Sequence, residues 1–231
     1  VQNFDLSIII PCLNEEKTLT ICIDKARSFL KKENIYGEII VGDNGSNDNS
    51  ISIANQLADK VIHVQAKGYG SVLQELIKSA NGKYIIMGDA DDSYDFSDLT
   101  GFYTKLLEGH QLVVGNRFKG GIEKGAMPFM NRFIGNPIIS FLGKTLFHVP
   151  LNDFNCGLRG FESKSMNQLK FESTGMEFAS EMIIVSKLKG LSMLEVPIKL
   201  FPDGRQGKSH LQPFRDGIRH VFLIIKLKFR K

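Results

Sequence analysis

Short runs rich in Ile and Val alternate along the chain with segments whose apolar residues recur every three or four positions. That alternation predicts an α/β fold with a mostly parallel sheet. Residues 6–10 predict the first strand. Asn14 is then placed to cap a helix that carries Glu15 and Glu16 in its first turn and buries the stripe Leu19, Cys22, Ile23, Ala26, Phe29 and Leu30. Residues 38–41 predict a second strand ending in Asp43-Asn44-Gly45-Ser46, with a helix of about ten residues from Asn49. Strands at 61–64 and 84–87 flank a helix over 71–79, and a strand at 112–114 closes this half.

The second half is less regular. The glycine-rich residues 119–125 read as a mobile loop, a helix over 131–147 is interrupted near Pro137, and 177–189 and 192–197 predict a helix and a strand. Pro213 opens a last helix whose face Phe214, Ile218, Val221, Phe222, Ile225 and Phe229 is apolar, with Arg215, Arg219, Lys226 and Arg230 on its other side. No repeat or linker divides the chain, so one domain over residues 1–231 is expected.

Composition narrows the class. With 231 residues and 42% apolar content the chain can bury a sizeable core. Its longest apolar runs fall far short of the roughly 18 to 20 residues that cross a bilayer, and the opening Val-Gln-Asn-Phe-Asp does not read as a leader. Three cysteines with no CxxC pair argue for free thiols and a reducing setting rather than a disulfide framework or zinc site. The net charge of +4 is uneven: residues 199–231 hold nine Lys or Arg against two Asp, so the rest of the chain is slightly acidic. A basic amphipathic helix at that end can lie on an anionic membrane surface.

The strongest chemical signal is Gly88-Asp89-Ala90-Asp91-Asp92, where three carboxylates crowd the end of an apolar strand. Ligands of open α/β sheets bind beyond the carboxyl ends of the strands, and Asp oxygens there can hold a magnesium or manganese ion. Asp43, and Pro11, Asn14 and Glu15 after the first strand, belong to the same edge. Arg117, Arg132, Arg159 and Arg205 sit among Gly, Asn or Phe rather than in charge runs, and guanidinium groups suit bidentate phosphate binding. Gly68-Tyr69-Gly70 lacks the third glycine of a dinucleotide fingerprint, and Gly207-Lys208-Ser209 has Pro202 where a phosphate loop needs glycine. His63 and His148, in apolar surroundings, read as packed residues.

Taken in order, Ile10-Pro11-Cys12-Leu13-Asn14-Glu15-Glu16, Asp43-Asn44-Gly45-Ser46, Lys67-Gly68-Tyr69-Gly70, Asp89-Ala90-Asp91-Asp92-Ser93-Tyr94-Asp95, Gly115-Asn116-Arg117-Phe118 and Asn155-Cys156-Gly157-Leu158-Arg159-Gly160-Phe161 resemble the family 2 glycosyltransferases of the GT-A fold, in their polyprenyl- or dolichyl-phosphate sugar synthase branch. The resemblance implies a Rossmann-like, mixed but mostly parallel sheet flanked by helices. It divides the domain into a nucleotide-sugar half (1–117), an acceptor half (118–204) and a basic amphipathic segment (205–231). It also implies inverting transfer of a hexose from a UDP-glucose or GDP-mannose type donor to a polyprenyl phosphate, by a protein peripheral to the cytoplasmic face of a membrane. Pro11, Glu15, Asp43 and Asp89, with Asn14 and Gly68, would bind the nucleotide sugar, and Asp89 and Asp91 the Mg2+ or Mn2+. Arg117, Arg132, Arg159, Arg205, Lys208 and Ser209 would meet the diphosphate or the lipid phosphate. A hydroxyl acceptor on a polysaccharide is the alternative and would need a base, for which Glu177 and Glu181 are the candidates. A noncatalytic module held by its basic tail is the remaining alternative; the resemblance implies no nucleic-acid partner.

Overall fold

The computed structural model describes residues 4–205 and 213–230. Its strands are β1 (Phe4–Cys12), β2 (Gly37–Asp43), β3 (Lys60–His63), β4 (Gly82–Met87), β5 (Leu112–Asn116), β6 (Arg159–Glu162) and β7 (Met193–Pro197). They form one sheet in the order β3-β2-β1-β4-β6-β5-β7. Only β6 runs antiparallel to its neighbours β4 and β5 among the described strands. Leu6, Ile8, Ile9 and Ile10 of β1 are all fully buried, as befits a central strand covered on both faces. The Ser7 hydroxyl in that strand donates to Glu38 Oε1 (2.6 Å) and accepts from the Gly82 N–H (2.8 Å), so the polar atoms there are matched.

The helices are α1 (Leu19–Lys32), α2 (Ser50–Leu57), α3 (Tyr69–Ser79), α4 (Thr100–Leu107), α5 (Arg117–Gly120), α6 (Asn136–Phe147), α7 (Ser163–Asn167), α8 (Phe178–Leu188) and α9 (Pro213–Phe229). Leu19, Cys22, Ile23, Ala26, Phe29 and Leu30 of α1 are buried as their spacing predicts. Among the described residues no helix is long and apolar enough to cross a membrane. The chain winds outward from β1 through β2 to β3, then returns to place β4 on the other side of β1. The carboxyl ends of β1 and β4 therefore diverge at a topological switch point, where such sheets open a crevice.

Three local expectations change, and a fourth takes a definite form. The first helix starts at Leu19 rather than after Asn14, whose φ of 55° is left-handed. Asn14, Glu15 and Glu16 instead clasp the loop after β2: the Asn14 N–H donates to Ser46 Oγ (2.9 Å), the Glu15 N–H to Ser50 Oγ (2.7 Å), and Glu16 Oε2 accepts from the Asn49 amide (2.9 Å). Residues 119–125 are more regular than their glycines suggest, carrying the end of α5 and a bridge from Ile122 to Leu200. The interruption near Pro137 takes the form of a π-helical turn, Asn131–Gly135, leading into α6. Pro137 has no N–H to give, and the wider turn absorbs the missing bond. His63 and His148 are exposed rather than packed: His63 sits at the end of the edge strand β3, and His148 at the left-handed C-cap of α6.

Candidate active site

A cavity of about 390 Å³ opens at the switch point, within the range of small-molecule sites. Pro11, Cys12, Leu13 and Glu15 follow from β1, Asn44 from β2, and Asp89, Ala90 and Asp91 from β4. Lys67, Gly68 and Tyr69 come from the start of α3, Gly175 and Met176 from the loop before α8, Arg205 from the segment after β7, and Arg215, Asp216 and Arg219 from α9. The loop after β3 is shaped by Asn44, whose Oδ1 accepts from the Gly68 N–H (2.8 Å) and whose amide donates to the Val64 and Ala66 carbonyls (both 3.0 Å). Gly68 has a φ of 120°, and any Cβ there would run into the Thr174 carbonyl. Glycine is required at that point by both torsion and space.

The acid rim is electrostatically loaded. Burial and the neighbouring Asp91 charge raise the Asp89 carboxyl to about 6, although the Tyr69 hydroxyl donates to its Oδ1 at 2.8 Å. A Cβ on Gly157 would collide with Asp89 Oδ2, so that glycine lets the carboxylate sit where it does. Burial also lifts Glu15 to about 7, against the pull of Arg205. Arg205 Nη1 contacts Glu15 (2.9 Å) and Nη2 contacts Asp91 (2.9 Å) and Asp203 (2.6 Å). Burial opposes the Arg205 charge, yet these carboxylates hold its pKa above the ordinary arginine value. Asp92, the third acid of the cluster, turns away at a φ of 59° and pairs with Lys25 (2.8 Å).

The remaining expected site residues divide. Pro11, Glu15, Gly68, Asp89, Asp91 and Arg205 line the cavity. Asp43 does not: it is buried and spends its two oxygens on the Gly45 (2.9 Å) and Ser46 (3.1 Å) N–H groups, so its neighbour Asn44 is the residue presented. Asn14 is likewise a loop clasp. Arg117 is buried in a two-bonded ion pair with Asp153 (2.8 and 2.7 Å). Arg159 has no exposed surface, and burial lowers its pKa; it donates to the carbonyls of Cys156 (2.8 Å), Ala179 (2.7 Å) and Phe154 (2.8 Å). Arg132 lies over the Phe133 ring in the π-helical turn. None of these three arginines is in the cavity lining: Arg117 and Arg159 are held inside the packing, and Arg132 stands half-exposed on the π-helical turn. Lys208 and Ser209 lie outside the described residues.

Glu181 accepts the Glu172 (3.0 Å) and Ser173 (2.8 Å) N–H groups, one on each oxygen, and so fixes the loop before α8. Glu177 Oε1 is bound by Arg219 Nη2 (2.7 Å), while Oε2 is buried with no hydrogen-bond partner among the described residues. A buried carboxylate paired with a guanidinium in this way is a poor free base. Asn44, Lys67, Tyr69, Arg215 and Arg219 are cavity residues that the sequence did not single out individually. The four-residue spacing of Arg215 and Arg219 on one helix edge was the available signal for the last two.

A divalent cation suits this donor set. Asp89 and Asp91 offer hard oxygens from one strand end, burial and then the neighbouring Asp91 charge both disfavour an ionised Asp89, and a magnesium-type ion is held by one or two carboxylates with substrate phosphates completing its shell. Among the described residues no group of three or more Asp, Glu, His or Cys side chains is placed to hold a metal ion, so any ion here would rest on two carboxylates and the substrate.

Residues 7–170 match the family model described as "Glycosyl transferase family 2". The chain is 36% identical over 222 residues to the "Low-salt glycan biosynthesis hexosyltransferase Agl6" of Haloferax volcanii, covering 95% of this chain but only 53% of that protein. It thus spans about half the length of that relative. It is 27% identical to the "Dolichyl-phosphate hexose transferase" of the same organism, over 96% of this chain and 93% of the relative. The fold is shared with glucosyl-3-phosphoglycerate synthase from Mycobacterium tuberculosis, solved with Mn2+, UDP and glucosyl-3-phosphoglycerate: TM-score 0.74 at 20% identity, over 97% of this chain and 80% of that one.

Proposed function

From the chain's membership of glycosyl transferase family 2, we propose that it transfers a hexose from a nucleotide diphosphate sugar, of the UDP-glucose or GDP-mannose type, to a polyprenyl phosphate at the cytoplasmic face of a membrane. The observation that carries this reading is one cavity whose lining combines the acid rim Asp89 and Asp91 with Arg205, Arg215 and Arg219. The nucleoside lies against Pro11, Glu15, Asn44 and Gly68. Asp89 and Asp91 are the residues that would hold a magnesium or manganese ion, which would supply positive charge to the departing diphosphate. Arg205 adds a permanent cation at the same rim, already gathered by three carboxylates.

An acceptor phosphate is anionic before it reacts, so no side chain need remove a proton. Its oxygen attacks the anomeric carbon as the bond to the diphosphate oxygen breaks, inverting that carbon and passing the negative charge to the leaving nucleoside diphosphate. Arg219, held by Glu177, is the group suited to steady the acceptor phosphate, with Arg215 beside it. The engagement of Glu177 and Glu181 with Arg219 and backbone N–H groups favours this over a base-requiring hydroxyl acceptor. The test supplies labelled UDP-glucose or GDP-mannose with polyprenyl phosphate and Mg2+ or Mn2+. Label entering the organic phase, and lost with Asp91→Asn, supports the proposal; no lipid label from either donor overturns it.

A further inference from the structure

The α9 helix has two apolar faces, and the described residues of the domain bury one of them. His220, Ile224 and Leu227 are buried against the body, whereas Phe214, Ile218, Phe222, Ile225 and Phe229 are exposed, Phe214 by 84% and Phe229 by 80%. The exposed five recur at spacings of four, four, three and four, one stripe along the helix. A second bare stripe lies on the π-helical turn and α6, against which α9 packs: Phe129, Met130, Phe133, Ile134, Ile138 and Phe141 are all exposed. These two adjoining elements and the residues leading into them hold 11 of the 16 exposed large apolar side chains among the described residues. A concentration of that kind on a water-soluble surface marks something that covers it.

Charge selects the occupant. Residues 131–147 and 213–230 carry seven Lys or Arg and one Asp. Glu172 and Glu177, which pair with Lys226, Arg230 and Arg219, still leave an excess of four positive charges. A second copy of the chain would oppose two such positive faces, whereas a bilayer carrying anionic lipid attracts the charge and receives the aromatic side chains. We propose that the π-helical turn with α6, and α9, together form a footing that seats the protein on an anionic membrane surface. This rests on the polyprenyl-phosphate reading for its purpose. The α9 helix also lends Arg215 and Arg219 to the cavity, so the footing holds the acceptor arginines close to the lipid headgroups.

Flotation with vesicles of phosphatidylcholine, with and without phosphatidylglycerol, tests the footing without any sugar transfer. The protein is expected to float with the anionic vesicles and less so as salt rises. The pair Phe133→Ser and Phe141→Ser, and separately the pair Phe222→Ser and Phe229→Ser, should each weaken binding about tenfold or more while leaving the melting temperature unchanged, since these side chains are already exposed. Failure of the unaltered protein to float with anionic vesicles, insensitivity to the α6 pair, or a dimer in sedimentation that the same substitutions dissociate would overturn the proposal. Sugar transfer to a short, water-soluble polyprenyl phosphate separates the two readings. Vesicle binding without any transfer sinks the enzymatic proposal alone, and transfer without vesicle binding sinks the footing alone.

Discussion

Single side chains owe their roles here to their partners more than to their type. Arg159 and Arg219 are both arginines near polar loops, yet one is enclosed by three carbonyls and the other stands at the cavity wall on a carboxylate. Removing either member of a buried charged pair such as Arg117 and Asp153 would strand the other, at a cost of about 3 to 5 kcal/mol, which marks these as stability residues. Glu177 tests the distinction. With Glu177→Gln the side chain keeps its shape but loses the charge that aims Arg219, so KM for the lipid phosphate should rise about tenfold with kcat changed far less. If Glu177 were the base for a hydroxyl acceptor, kcat would collapse instead, and steady-state kinetics with varied acceptor separates the two.

The helices and strands show where local pattern suffices. The α1 stripe and the strands around β1 follow from spacing alone, because a 3.6-residue or two-residue repeat leaves few ways to hide the apolar face. The start of α1 does not, since Asn14 found partners 32 and 33 residues away in place of a cap. The docking of α9 has a similar long-range key. His220 is buried, its Nδ1 lies 2.7 Å from the Ser180 hydroxyl of α8, and burial with the nearby Arg159 and Arg219 charges lowers its pKa from 6.5 to about 4. Between those values the unfolded chain binds a proton that the folded one refuses. Stability should therefore fall as pH drops from about 6.5 to about 4, by up to about 3 kcal/mol. Urea midpoints across that range would measure it, and His220→Gln should flatten the slope.

For the molecule as a whole, the switch point between β1 and β4 gathers loops that lie far apart in sequence, and the acid rim is a property of that gathering. Chelation with EDTA should abolish transfer, and Mg2+ or Mn2+ should restore it, while circular dichroism and the melting profile of the donor-free protein stay unchanged. The core is apolar and the rim carboxylates have Tyr69, Ser93 and Arg205 to bond with, so a melting transition that collapsed on chelation would count against a purely catalytic ion. The amino-acid order by itself determined the alternation of strands and helices, the central buried strands, and the acidic loop ending β4, because backbone periodicity and apolar burial act over neighbouring residues. It also made α9 amphipathic. Only the tertiary structure decided that Arg205 and Arg219 face the cavity while Arg117 and Arg159 are locked inside, that Asn44 rather than Asp43 lines the wall, and which apolar face of α9 stays bare. Those outcomes hang on Asp153, Glu177, Ala179 and other groups tens of residues distant, and a side chain's surroundings are set by whichever remote segments the completed fold brings beside it.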